Sequence, residues 1–137
     1  MSTLKTNTLT GVSVAGSIAV TGESGSTTTN LQQGLCKAWV NYTGITTTAK
    51  RDSFNISTLT DISAGRTTCP FTSNMANANY SGYFYTNADS GTAFTNFNNT
   101  YAGGFGDFTT ASFKHNAYGS TDVDSFQNLS GIFGDLA

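Results

Sequence analysis

The stretch Lys37-Ala38-Trp39-Val40-Asn41-Tyr42, followed further on by Asp52-Ser53-Phe54-Asn55-Ile56-Ser57, decides the fold of this chain. Apolar and polar residues alternate in both segments, and this period of two is typical of strands with one buried face. The only tryptophan of the chain lies in the first segment. We therefore expect the folded core to begin here, and we predict Phe54 and Ile56 to share one face of the second strand.

Further segments with strand character follow towards the C-terminus. Thr67, Cys69 and Phe71 alternate with polar residues, and Pro70 within this run predicts an edge strand or a bulge. The other segments lie at residues 80–86, with aromatic residues on both faces that predict two covered faces, at 113–118, and at 123–137, where an apolar strand is expected to run to the last residue. Residues 94–108 are not clearly periodic and predict a large loop or a ragged strand pair. Seven or so short strands predict an all-β domain over residues 35–137, an antiparallel β-sandwich of jelly-roll-like type.

Residues 1–34 are mostly Thr, Ser, Gly and Asn and predict an extended N-terminal arm. Weak strands are expected at 4–9 and 17–21, followed by a polar linker at 23–33 and a brief turn at 30–34. Ordering a backbone costs about 1 to 2 kcal/mol per residue, which so few apolar residues do not offset. The arm is therefore expected to lie against symmetry mates or within a larger assembly, through five aliphatic side chains: Leu4, Leu9, Val12, Ile18 and Val20.

Composition and charge exclude several classes of function. The chain has 137 residues, of which 10% are charged, with a net charge of −2 and no Lys/Arg cluster, so nucleic-acid binding is not expected. The sequence has neither an apolar run of about 18 residues nor the apolar core of a secretion signal. We expect no membrane insertion, and a protein that either stays in the cell that makes it or leaves that cell by lysis.

The sequence offers little for catalysis. His115 is the only histidine, which leaves a Ser-His or Cys-His pair as the sole imidazole-based possibility. Its position between strand aromatics predicts a half-buried structural residue or a surface residue. Cys36 and Cys69 are expected to be reduced, buried side chains rather than a disulfide, because no export signal accompanies them.

Oxygen ligands and glycine-rich loops give no clearer site. Asp122 with Asp124 and Asp52 with Asp61 are possible carboxylate pairs, but no loop has an ordered Ca²⁺-ligand spacing. The glycines of residues 103–106 lack the lysine and the helix of a phosphate-binding loop. We therefore predict a non-enzymatic protein without a metal or a cofactor.

Aromatic residues near Asn provide the one candidate binding patch. Flat aromatic faces bind the C–H faces of sugars, and amides hydrogen-bond to sugar hydroxyls. The candidate contacts with a glycan are Tyr83, Tyr85, Asn98, Tyr101 and Phe105. The alternative for these aromatics is packing in the core or at a contact between copies of the chain.

The order of several segments resembles that of small tail-fibre-like virion proteins of tailed bacteriophages, especially aquatic and cyanobacterial ones. The matching segments are residues 2–7, 15–18, 20–23, 30–35, 37–42, 52–57, 60–61, 75, 79–80 and 133–137. The resemblance covers most of residues 1–86 and the last few residues. It implies a homotrimeric structural protein that contacts other virion proteins through its arm and faces outward with its sandwich. Residues 66–71 and 94–108 depart from the family pattern.

Three functions follow as alternatives. The first is a short fibre of the virion, assembled in the host cytoplasm and docked on the tail or baseplate by its arm. The second is a capsid decoration protein that cements the head lattice through the major capsid protein. The third is a carbohydrate-binding module or a hydrolase, which would need an export signal or a catalytic pair. We expect the first.

Overall fold

The computed structural model describes residues 4–12, 18–21, 25, 28–87, 108–117 and 124–137. The chain divides into two compact units, Met1–Leu35 and Cys36–Ala137. The first unit contains a small antiparallel pair of strands, β1 (Ala19–Thr21) and β2 (Thr28–Asn30), and one helical turn, α1 (Leu31–Gly34). None of its described residues is buried.

Local hydrogen bonds explain the details of the first unit. The Asn30 side chain caps α1 by accepting a bond of 3.1 Å from the Gln33 amide, so the turn predicted at 30–34 is a capped helical turn. The linker predicted at 23–33 is wrong in part, because β2 lies within it. The strand predicted at 4–9 is also wrong. There the Thr6 hydroxyl donates to the Thr8 carbonyl and accepts from the Thr8 amide, and such local bonds compete with strand pairing.

The second unit is the all-β sandwich predicted from the sequence. Its described strands are β3 (Cys36–Thr43), β4 (Ala49–Phe54), β5 (Thr60–Ser63), β6 (Arg66–Pro70), β7 (Ser81–Asn87), β8 (Ser112–Asn116) and β9 (Gln127–Phe133). They form a four-stranded sheet in the order β4-β3-β9-β7 and a three-stranded sheet in the order β5-β6-β8. All pairings are antiparallel, and the two sheets pack against each other.

The core lies between these two sheets, and aromatic contacts hold its centre. The ring of Phe113 is fully buried and lies 5.6 Å from that of Phe71 and 5.7 Å from that of Phe84, centroid to centroid. Phe108 adds edge contacts to Tyr80 and tilted contacts to Phe84. The other buried apolar residues are Ala38, Val40, Tyr42, Ile56, Cys69, Met75, Ala117 and Ile132. The alternation predicted for β6 and β8 is therefore confirmed, and that of β3 is confirmed from Ala38 onward. Lys37 is the exception, because it is buried like Ala38, beside the register shift between Cys36 and Ala38.

The strand predicted at 53–57 is wrong in where it ends and in the faces that its side chains occupy. Strand β4 ends at Phe54, and Asn55 adopts a left-handed conformation with φ of 56°. The Asn55 side chain bonds to the backbone of Lys37 and Ser73, which holds this turn in place. Because the turn breaks the period of two, Phe54 is exposed whereas Ile56 is buried.

Three other expectations need correction. β6 was expected to be an edge strand or to contain a bulge, but it is the central strand of its sheet and Pro70 is its last residue. The register shift in this sheet lies in β5, between Asp61 and Ser63. β7 is covered on one face only, since Tyr83 is 62% exposed at the edge of its sheet. β9 ends at Phe133, because the chain then leaves the sheet and pairs with the loop at Met75. Of residues 94–108, all but the last lie outside the described residues.

Candidate functional site

A buried polar network lies between the sheets around the only histidine. His115 of β8 contacts two strands of the other sheet, with Nε2 at 2.9 Å from the Thr86 hydroxyl and Nδ1 at 3.0 Å from the Ser130 hydroxyl. The side-chain oxygen of Asn128 accepts from the Thr86 hydroxyl at 3.1 Å and from the Ser125 hydroxyl at 2.7 Å. All five side chains are buried, which makes this network an internal connection between the sheets.

The network assigns one tautomer to His115. The single hydroxyl proton of Thr86 is donated to Asn128, so Thr86 accepts a hydrogen bond from the Nε2–H group. The Ser130 hydroxyl then donates to Nδ1. The imidazole is therefore neutral and satisfied at both nitrogens. Burial favours the same state, because it lowers the pKa of His115 from 6.5 to about 4.

This network contains the Ser-His pair that the sequence left open, but it is not arranged for catalysis. His115 is 1% exposed and Ser130 is 4% exposed, so a substrate has no access to either group. The prediction of a half-buried or surface histidine is wrong in degree, because the ring is completely enclosed. Its T-shaped contacts with Tyr42 and Phe84 give it a structural role in the core.

Both cysteines are free thiols. Cys69 is buried in the core, and burial raises its pKa to about 12, so the thiolate needed for nucleophilic chemistry is not formed near neutral pH. Cys36 is only partly buried, contrary to expectation, and its thiol donates to the Ala38 carbonyl at 3.1 Å.

The described acidic residues do not come together in one site. Asp124 accepts a hydrogen bond of 2.9 Å from the Gly65 amide and thereby ties two loops together, while Asp122 lies outside the described residues. Asp52 and Asp61 are exposed on strands of different sheets. Within the described part of the chain, no group of three His, Cys, Asp or Glu side chains is placed to hold a metal ion.

The outer face of the four-stranded sheet carries the most distinctive surface feature. The register aligns Phe54 of β4 with Trp39 of β3, Trp39 with Gly131 of β9, and Gly131 with Tyr83 of β7. These four residues form a continuous line across the sheet, which we call the aromatic row. Side chains at paired positions leave the same face of a sheet, so the three rings share one surface.

The aromatic row is exposed, in contrast to the inner face of the same sheet. Phe54 is 52% exposed, Trp39 is 36% exposed and Tyr83 is 62% exposed. Phe133, two residues beyond Gly131 on the same face of β9, is 39% exposed. This extends the exposed aromatic surface next to the row.

Sequence reasoning found only part of this surface. Tyr83 and Tyr85, two predicted glycan contacts, lie on the outer face of β7, whereas the other three, Asn98, Tyr101 and Phe105, lie outside the described residues. Trp39 and Phe54 were expected in strands and were not among the predicted glycan contacts. The alternation in β3 contained this information, because Ala38 and Val40 point to one face of the strand and Trp39 points to the other.

The predicted contact residues of the N-terminal arm are largely exposed. Leu4 is 79% exposed, Leu9 54%, Val12 99% and Val20 50%, and Ile18 is half-buried. The backbone carbonyl of Ile18 accepts a 2.8 Å hydrogen bond from the Leu31 amide, which joins β1 to the start of α1.

Comparison with family models, with characterised proteins and with solved structures gave no significant match. Of the residues that the structure describes, no helix has the length and apolar character of a membrane span.

Proposed function

We propose that this chain is a non-enzymatic structural protein of a bacteriophage virion, a short homotrimeric fibre. In this proposal the first unit docks on other virion proteins of the tail or baseplate, and the sandwich faces outward towards the host surface. The protein is assembled in the host cytoplasm and released by lysis as part of the virion. The sequence resemblance to tail-fibre-like proteins and the contrast between the two units support this assignment.

The observation that carries the proposal is the exposure of aliphatic side chains in the first unit. Leu4, Leu9, Val12 and Val20 are each at least half exposed. Burying such a side chain stabilises a protein by about 1.5 to 3 kcal/mol, and these four side chains realise at most part of this within one chain. A neighbouring virion protein or two further copies of the chain would supply the missing burial.

The core of the second unit supports a structural rather than an enzymatic role. Its only imidazole is enclosed and its buried thiol is held protonated, as the pKa values of His115 and Cys69 indicate. The imidazole and the thiol stabilise the sandwich, and contacts with other molecules are made by its surface.

The test compares two full-length double variants in assembled particles. Leu9→Asp with Val12→Asp places charges on the exposed aliphatic side chains, and Thr8→Asp with Thr10→Asp places the same charges on exposed threonines of the same segment. We expect the first variant to reduce the copies per particle by at least about tenfold, because each charge opposes burial at the docking contact. The threonine variant should be incorporated normally. Equal incorporation of both variants would contradict a docking role for this unit.

The copy number in purified particles separates the fibre from capsid decoration. Quantitative mass spectrometry against the major capsid protein should give only a few copies per particle for a fibre. A ratio near one, or a simple fraction of one, would instead assign the chain to the head lattice. Absence of the chain from particles would overturn both assignments.

A further inference from the structure

We propose that the aromatic row of Phe54, Trp39, Gly131 and Tyr83 is a binding site for a neutral saccharide chain. This inference deepens the proposed function, on which it rests for the source of the saccharide, the host surface. Three observations carry it: the glycine within the row, the spacing of the rings and the charge around them.

The packing of the described residues does not require glycine at position 131. Among these residues, a Cβ atom at this position would meet Cys36 Sγ and Phe133 Cε2, both at 3.9 Å, which is ordinary contact. By comparison, a Cβ at Gly82 on β7 would lie 2.6 Å from the Phe84 ring, so packing demands that glycine. A glycine inside a strand costs stability, and where packing does not require it, it marks a place where a ligand or another backbone approaches closely. Gly131 places no side chain of its own between Trp39 and Tyr83.

The geometry of the row suits a chain of sugar rings. Trp39 and Tyr83 lie on strands separated by β9, so their backbones are about 10 Å apart, twice the strand spacing. The electron-rich faces of aromatic rings attract the C–H groups of sugars, and the gap above Gly131 admits a ring between them. The exposed side chains of Ser81 and Asp52, which flank the row on the same face, offer hydrogen-bonding groups to sugar hydroxyls.

The charge near the aromatic row favours neutral over acidic glycans. None of the residues in the row is charged, and the chain carries a net charge of −2. The exposed Asp52 lies beside the row, whereas Lys37, two residues before Trp39 on β3, is buried. Sialylated or sulfated glycans would be repelled, whereas neutral glycans would not. A peptide partner would gain nothing from backbone pairing, because the row lies on the face of the sheet and not on its edge.

The experiment measures binding of the isolated full-length protein to an array of neutral, sialylated and sulfated glycans. We expect retention of neutral glycans, followed by titration with the best-bound soluble oligosaccharide. Trp39 is the only tryptophan, so its fluorescence should change on binding. Trp39→Ala and Tyr83→Ala should each weaken binding by at least about tenfold, as is usual for aromatic contacts at the centre of a site.

Gly131→Val separates binding from folding. Its Cβ meets no close contact and valine favours strands, so we expect thermal stability equal to or higher than that of the wild type, with glycan binding lost. The matched control is Ile62→Ala, which removes a 49% exposed apolar side chain from the other sheet and should bind normally.

Several outcomes would overturn the proposal. They are retention of no neutral glycan, equal loss of binding in Ile62→Ala, or full binding by Gly131→Val. Concentration-dependent self-association that Trp39→Ala abolishes would also overturn it, by assigning the row to a contact between copies. The arm variants of the docking test should bind glycans normally, so failure of glycan binding and failure of docking are distinguishable.

Discussion

The two units of the chain differ in how far their aliphatic side chains are exposed. Val12 of the first unit is 99% exposed, whereas Val40 of the second is 1% exposed. The first unit has two three-residue strands and one helical turn, and none of its described residues is buried. The second buries a cluster of aromatic and aliphatic side chains between two sheets. The same residue type is thus a stabilising core residue in one unit and an available contact in the other.

This contrast indicates where stability and contacts reside. A sandwich with a buried cluster offsets the entropy of ordering its own backbone, whereas a short hairpin without buried residues does not. We therefore expect substitutions in the second unit to change the free energy of unfolding, and substitutions in the first to change assembly.

The largest expected effect is from Phe113→Ala. Phe113 is fully buried and contacts the rings of Phe71 and Phe84, so its truncation removes apolar burial and leaves a cavity. We expect a loss of about 3 to 5 kcal/mol in the free energy of unfolding, measured by chemical denaturation. Phe54→Ala, at a half-exposed position, is the control and should cost much less. Similar losses for both would contradict the assignment of the core.

The next effect is a pH dependence that belongs to the second unit. The pKa of His115 is lowered from 6.5 to about 4 in the fold, so between these values the unfolded chain binds a proton that the folded chain does not. The contribution of His115 is complete above pH 6.5 and is lost as the pH falls towards 4. A shift of this size corresponds to roughly 3 kcal/mol.

Denaturation of the wild type and of His115→Gln at several pH values tests this dependence. The variant should be less stable near neutral pH, because Thr86 and Ser130 lose their partner. Its stability should nevertheless fall less steeply than that of the wild type between pH 6.5 and 4. Parallel curves for the two proteins would show that the histidine does not titrate as described.

The smallest effect, and the sharpest comparison, comes from one substitution made in both units. Val40→Ala should lower the free energy of unfolding by about 2 kcal/mol, since it removes buried methyl groups. Val12→Ala should change it by less than about 0.5 kcal/mol, as expected for an exposed position. A larger effect at Val12 in the isolated protein would mean that the first unit is already covered in solution.

The sequence predicted the positions of the strands better than it predicted which side chains each strand buries. The strands around Val40, Cys69 and Phe113 were found, because a period of two covers most of each strand, with one break at Lys37 of β3. The second strand failed at Asn55, whose left-handed backbone reverses the side-chain direction. Single-residue turns of this kind have no hydrophobic signature, and here the turn depends on bonds to Lys37 and Ser73, which are distant in sequence.

The candidate site was less predictable than the fold. Tyr83 was identified from its residue type, whereas Trp39 was not among the predicted contact residues. The aromatic row exists only through the pairing of four strands that are separated along the chain by up to 92 residues, from Trp39 to Gly131.

The sequence by itself determined an all-β domain behind a core-poor N-terminal segment, because period-two alternation and the distribution of apolar residues are local properties. The tertiary structure alone decided which aromatics are buried and which form a common surface. It also decided that His115 is enclosed, because burial and register depend on residues brought together from distant parts of the chain. Nothing within a single strand specifies that a glycine on β9 will separate the aromatic rings of β3 and β7.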